Sequence, residues 1–354
     1  HMAYTSGTTG RPKGVRRLPL TPEQQVLATQ LTKEVLGIYP GVRSLISAPL
    51  YHSAPSSFAQ QSLLLGSLLV LEQKFDAEAT LALIERHHID TVYLVPVMYV
   101  RLLRLPPEVR SRYNLSSLTF VASTGSPCAP DVKKAMIDWL GPVIFESYAS
   151  SETGYITVMR PQDAMRKRGS AGSAAGAAQI RILDEAGHEL PAGEIGTIYV
   201  HQPAYSDFTY HGNEAARRSV ERDGLVSVGD MGYLDADGFL FICDRASDMV
   251  ISGGVNIYPA EIEHVLITLP GVADCAVIGI PDEEYGESLV AQVVAESGVT
   301  LDAESLRLAL SERIAGYKVP RRIDIVAALP RDDNGKLQKR KIRDAYWSGR
   351  ERRV

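Results

Sequence analysis

Cysteine is scarce in this chain. Its 354 residues include three, Cys128, Cys243 and Cys275. They stand too far apart for the paired spacing of a zinc site or the dense pattern of a disulfide framework. That scarcity fits a reducing, cytoplasmic setting. Long apolar runs are missing as well: no stretch approaches the roughly 18 residues of a membrane span. The opening His1-Met2 reads as a cloning scar, with a native Met2 as the alternative, and neither a charged nor an apolar region follows it, so no secretory signal is expected. A large charge imbalance is also absent. The net charge of −5 excludes the broad basic footprint of a nucleic-acid binder. The basic closing stretch "GKLQKRKIRDAYWSGRERRV" reads as a solvated terminal helix. There is no internal repeat and no low-complexity linker. What remains has ordinary apolar content, 45%, and length enough for two domains.

Between about Leu45 and Ser147, short β-rich runs alternate with helical patterns. "LISAP", "SLLVLE", "TVYLVP", "LTFVAS" and "VIFES" predict strands. "DAEATLALIERHH" predicts a helix with Ala77, Leu81, Ile84 and His88 at helical spacing and Asp76 as its cap; His87 and His88 are read as surface. Alternating strands and helices argue a largely parallel α/β sheet. From Ser173 to Arg245 the turn signals crowd together without a long helix, which predicts a small β-rich subdomain. Beyond Asp248, strands "ADCAVIGI", "LVAQVVAE" and "RIDIVAAL" mix with helices. One of these carries Leu306, Leu310 and Ile314 as its stripe, capped near Asp302. This predicts a compact α+β domain. The expected boundaries are 3–246, with the β-rich part at about 173–246, and 248–354.

Five stretches carry chemistry. "YTSGTTGRPKG" (Tyr4 to Gly14) offers Gly7, Gly10 and Gly14 for close backbone approach. Thr5, Ser6, Thr8 and Thr9 add hydroxyl donors, and Lys13 a cation. Donors and a cation over bare backbone suit a polyphosphate, although a solvated tail is the alternative and the spacing is not that of the common phosphate loop. "PLYHS", "STGSP" (Ser123 to Pro127) and "ESYASSETG" (Glu146 to Gly154) follow predicted strands, where parallel sheets gather ligands. "GDMGYLDADGFLFICDRASDMVISGGVNIYPAEIE" spans Gly229 to Glu263, and Lys336 follows Gly335 in a last turn. Each residue also has a plainer reading. Asp230 and Asp244 fit turns, Glu152 a helix cap, and Lys336 a solvated turn. Tyr148 fits a core, Arg245 an ion pair, and His52 a buried histidine.

In this order these stretches, from Tyr4 to about Arg343, resemble the adenylate-forming superfamily of acyl- and aryl-CoA synthetases, luciferases and adenylation domains. The resemblance implies the remnant of a large multi-subdomain α/β N-terminal domain, with its β-rich subdomain, and a smaller mobile C-terminal α+β domain. It implies ATP, magnesium and coenzyme A, a carboxylic acid substrate, and two half-reactions: acyl-AMP formation with release of pyrophosphate, then thioester formation. The loop Thr5, Ser6, Gly7, Thr8, Thr9, Gly10 and Lys13 would hold the β- and γ-phosphates. Glu152 would be the magnesium ligand. Ser151 would stand beside the α-phosphate, where threonine is more usual. Tyr148 would stack on adenine, lined by Gly125, Ser126 and Pro127. Asp230 would accept the ribose hydroxyls, Arg245 would touch ribose or phosphate, and Lys336 would serve adenylation. Ser247 occupies the hinge position, where Asp or Lys is common. Ser252, Gly253 and Gly254, in the loop ending at Asn256, would line the pantetheine tunnel.

His52, Ser53, Ala54 and Ala149 fall at the acyl pocket. Ala149 replaces a usual glycine, and "VRRLPLTPEQQ" stands where a histidine-bearing helix start is common. Amino-acid-activating relatives place an aspartate near "PLYHS" to hold the ammonium group. Its absence points to an apolar aliphatic or aromatic acid with CoA as acceptor, since an unpaired ammonium is costly in such a pocket. The rivals are an adenylation domain loading a carrier protein and a nucleotide-binding fragment without catalysis. The family's preceding segment is expected to be missing. That would leave the opening strand short of neighbours and would expose apolar surface suited to homo-oligomer formation.

Overall fold

The computed structural model describes residues 2–5, 13–126, 128–331 and 337–348. They fall into two compact units. One comprises His1–Val228 and Gly232–Ile242, the other Gly229–Met231 and Cys243–Val354.

The first unit opens on β1 (Met2–Thr5) and β2 (Lys13–Arg17), which pair antiparallel. The opening strand therefore has a neighbour, against expectation, because the chain doubles back at once. β2 pairs in turn with a strand nearly two hundred residues later. Next come β3 (Arg43–Ile46), β4 (Leu68–Leu71), β5 (Thr91–Tyr93), β6 (Phe120–Thr124) and β7 (Ile144–Ser150). All pair in parallel in the order β4-β3-β5-β6-β7. Helices cross between them. Pro22–Leu36 begins in a capping box in which Thr21 and Gln24 satisfy each other's backbone. Ala77–His87 is capped by Asp76, as predicted. His88 takes a left-handed turn there, with φ 46°, so the chain leaves the helix and Ile89 fills the buried place instead. The core between sheet and helices includes Leu31, Leu45, Phe58, Leu81, Val92 and Val121.

β8 (Gly154–Met159) folds back antiparallel on β7 and hands the sheet on to β9 (Gly172–Ala174). The β-rich stretch continues the same sheet. It contains β10 (Gln179–Leu183), β11 (Gly196–His201), β13 (Glu221–Arg222), β14 (Leu225–Val226), β15 (Asp230–Leu234) and β16 (Phe239–Arg245). β12 (Phe208–Tyr210) leaves it to pair with β2, setting Tyr210 opposite Val15 and Phe208 opposite Arg17.

The second unit has β17 (Val250–Ser252) and β18 (Val255–Ile257), a tight hairpin with positive φ at Gly253 and Gly254. Its long antiparallel pair is β19 (Val272–Asp282) with β20 (Gly286–Ala295), and β21 (Arg322–Ile325) runs parallel to β20. Helices Pro259–Leu266 and Ala303–Ser311 cover the sheet. The second is capped by Asp302, and Leu306 and Leu310 are buried beneath it. Ile314 packs on the same core from beyond the helix end.

All three thiols are free. Burial pushes each of them up. Cys243, where Asp244 adds to the effect, is raised to about 11. At pH 8 such a thiol is thiolate only about one part in a thousand, against roughly a tenth or more for an exposed cysteine. Native protein is therefore expected to alkylate with iodoacetamide at least ~100-fold more slowly than the denatured chain. Equal rates at pH 8 would contradict the burial.

Candidate active site

The parallel register sets Ser123 opposite Glu146 and Thr124 opposite Ser147. Gly125 and Ser126 therefore leave β6 at the same sheet edge where Tyr148 and Ala149 lie on β7. Gly125 has φ 96°, a conformation that glycine adopts without penalty, and both Gly125 and Ser126 are exposed. A β-bulge separates Tyr148 from Ala149, the kind of irregularity that re-aims a side chain. Tyr148 is half-buried against the Ile156, Ile182, Ile198 and Leu240 cluster.

Ser151 and Glu152 lie in the turn between β7 and β8. No helix begins there, so the helix-cap reading of Glu152 is excluded. The turn is locked by Ser150 and Thr153: their hydroxyls lie 2.7 Å apart, and the Thr153 N–H donates to Ser150 Oγ at 3.0 Å. Among the described residues, the hydrogen-bond donor to the Glu152 carboxylate is the Tyr210 hydroxyl, at 3.1 Å. Burial, and then the Glu152 carboxylate, push the Tyr210 phenol up, so it stays a donor. Lys13 Nζ sits 5.1 Å from the centre of the Tyr210 ring. A half-buried carboxylate with one oxygen engaged by a neutral donor suits a hard cation such as magnesium.

At the same sheet edge, β3 leads through Pro49 to His52, which precedes helix Ser53–Leu64 without capping it by its side chain. Its ring lies 4.5 Å from that of Tyr51. Ala54 and Ala149 pack, partly buried, on one core cluster.

The second unit holds the remaining described candidates. Asp230 is buried at the start of β15, and Arg245 Nε lies 3.5 Å from its carboxylate. The ion-pair reading of Arg245 thus has a named partner. Asp244 accepts from the Ala260 N–H at 2.9 Å, at the start of helix Pro259–Leu266. The Ser247 carbonyl accepts from Arg343 at 2.7 Å, and Asp248 takes the same guanidinium at 3.1 Å. Lys339, partly buried, lies 2.9 Å from Glu263. Burial opposes its charge, but Glu263 and Asp244 outweigh that and hold the ammonium above its ordinary range. Ser252, Gly253 and Gly254 form the β17–β18 turn. Ser6 to Gly10, Pro127, Lys336 and the side chain of Thr5 lie outside the described residues.

Two participants escaped the reading by motif: Tyr210, in "DFTYHGN", and Arg17. The signal for Arg17 was a doublet, Arg16-Arg17, on a strand of period two. One of the two had to turn inward.

An AMP-binding enzyme family model matches residues 1–207, and the model of that family's C-terminal domain matches residues 261–336. Indoleacetate–CoA ligase of Aromatoleum aromaticum is 37% identical over 346 residues, covering 97% of this chain and 66% of that protein. The amide bond synthetase McbA from Marinactinospora thermotolerans superposes with a TM-score of 0.87 at 31% identity, over 98% of this chain and 69% of that one. The o-succinylbenzoate coenzyme A synthetase MenE of Bacillus subtilis, in complex with ATP and magnesium ion, gives 0.84 at 33% identity, over 96% and 69%. With the strand-end site already in place, these matches assign the chain to the AMP-binding enzyme family, as an ATP-dependent, AMP-forming ligase.

Proposed function

We propose that this chain is an acid–CoA ligase for an apolar, aromatic carboxylic acid. It joins the acid to ATP as acyl-AMP, releasing pyrophosphate, and passes the acyl group to coenzyme A. The carrying observation is the group of Glu152, Tyr210 and Lys13 beside the exposed Gly125–Ser126 edge. The aromatic acids named for the indoleacetate and succinylbenzoate ligases support the substrate class. So does the lack of a carboxylate at His52, Ser53 and Ala54.

The first step needs no general base, because a carboxyl group of reference pKa about 4 is already ionised at neutral pH. Its difficulty is an anion attacking a polyanion, so catalysis is placement of cations and donors. Thr5 to Gly10 and Lys13 cradle the β- and γ-phosphates. Glu152 holds magnesium, with Tyr210 orienting its carboxylate. Magnesium, when bound, neutralises charge on the phosphates. Ser151 stands by the α-phosphate, while Tyr148, Gly125, Ser126 and Pro127 take the base. Asp230 takes the ribose hydroxyls, with Arg245 beside them. Lys336 serves the adenylation step, and Ser252 to Gly254 the pantetheine arm. His52, Ser53, Ala54 and Ala149 shape the acyl pocket. Ser247 is the pivot between half-reactions. Three free thiols and no helix, among the described residues, long and apolar enough to cross a membrane fit a cytoplasmic enzyme.

Pyrophosphate release from ATP, measured against a panel of aliphatic and aromatic acids with and without CoA, tests this reading. Release with arylacetic and cinnamic-type acids, together with CoA-dependent thioester, is the expected result. Acid-dependent release with no thioester would move the acceptor to an amine or a carrier protein. No release with any acid would remove the catalytic reading for this chain.

A further inference from the structure

We propose that Arg17 is a positioning residue of the metal site, a clamp that fixes the backbone of the Glu152 turn to the strand returning from the glycine-rich loop. The proposal rests on the reading of Glu152 as the magnesium ligand. Arg17 Nη2 donates to the Glu152 carbonyl at 2.6 Å and to the Ser151 carbonyl at 3.1 Å. Its Nη1 donates to the Ser206 carbonyl at 3.0 Å. Among the described residues it makes no ion pair, so its charge is spent on carbonyl oxygens. The planar fork reaches these three carbonyls from two separate nitrogens; an ammonium offers its three donors from a single nitrogen, without that spread.

The surroundings hold the fork in place. The guanidinium lies 5.1 Å from the centre of the Tyr205 ring. That ring covers Gly154 so closely that a Cβ there would fall 2.1 Å from a ring carbon. The turn from Ser151 to Gly154 is thus gripped through its carbonyls by Arg17 and from above by Tyr205. Period two puts Lys13, Val15 and Arg17 on one face of β2, and Tyr210 pairs with Val15 on the next strand. One small sheet therefore presents two groups to one turn, Tyr210 to the Glu152 carboxylate and Arg17 to the Glu152 backbone, with Lys13 over the Tyr210 ring. Arg16, the other half of the doublet, is exposed. The clamp joins Lys13, at the other end of this five-residue strand, to Glu152. Partners that orient a metal ligand are typically worth 10–100-fold in metal affinity.

The test uses Arg17→Lys, which keeps the charge without the fork, and Arg17→Gln, which keeps two donors without the charge. Mn2+ binding in the presence of a non-hydrolysable ATP analogue is read by EPR for both and for the parent. Thermal midpoints and the Mg2+ dependence of pyrophosphate release are read alongside. Mn2+ affinity about 10-fold weaker in Arg17→Lys, with the half-maximal Mg2+ concentration raised to match, is the expected result. Parent-like Mn2+ affinity in a folded variant, with only a lower thermal midpoint, would make Arg17 a structural residue and overturn the proposal. If the parent itself binds no Mn2+ with the analogue, the magnesium reading of Glu152 fails, and the clamp with it.

Discussion

Lys336→Ala is expected to lower acyl-AMP formation by about 100- to 1,000-fold, the range found when one preorganised electrostatic group is removed from a transition state. The charge matters most in this step because carboxylate and triphosphate repel each other until cations are in place. The same variant should form thioester from supplied acyl-AMP and CoA at close to the parent rate, since in that step a thiol attacks the acyl carbonyl, AMP leaves, and no carboxylate has to approach a triphosphate. The fold gives little reason for collateral damage. Before the segment, Arg331 bridges to Leu337 and holds Asp274 at 2.5 Å through its guanidinium. After it, helix Lys339–Arg343 is pinned by Lys339 on Glu263 and by Arg343 on the Ser247 carbonyl. Substitution between two anchored flanks removes a charge and leaves its supports. Quenched-flow measurement of acyl-AMP, beside a direct thioester assay, separates the halves. Equal loss in both would refute the role given to Lys336.

Much of this architecture could be read before the structure, and the exceptions have physical causes. Buried parallel strands are short apolar runs, so "TVYLVP" and "LTFVAS" were legible as strands. Their ends were not. "LISAP" reads as strand through Pro49, yet β3 stops at Ile46, and Pro49 has no N–H to continue a ladder. The left-handed turn at His88 likewise carries only a weak local mark: glycine is the usual residue there, and histidine, though enriched among the others, takes it seldom. The site divides along the same line. Gly125, Tyr148, Ser151 and Glu152 are short-range motifs that the parallel register brings together, so their order along the chain was enough. The Arg17–Ser206 bond spans 189 positions and the Tyr210–Glu152 bond 58. Contacts of that separation are made by sheet pairing, which no local window contains. That is why Arg17 was legible at most as half of a basic doublet and acquired a role only once β2 was paired.

Gly254→Trp is expected to do the reverse of Lys336→Ala, slowing thioester formation about 100-fold, the scale of a misplaced reacting group, while adenylation stays near the parent rate. The argument begins with the hairpin. Ser252 pairs with Val255, so Gly253 and Gly254 alone make the turn, with φ 57° and 81°. A Cβ on Gly253 would press on the Tyr285 ring at 3.1 Å, whereas one on Gly254 meets nothing within 4 Å. A side chain at 254 therefore has room, and its folding cost is the left-handed backbone alone, about 1–2 kcal/mol. The indole would project from the turn into the space assigned to the pantetheine arm. Gly254→Ala carries the same backbone strain without the bulk, so it separates the two effects. A large thioester defect in Trp with a small one in Ala identifies obstruction of the thiol's path. Equal defects would assign the loss to strain in the turn, and loss of adenylation alone in Trp would refute the role of the hairpin in the second half-reaction.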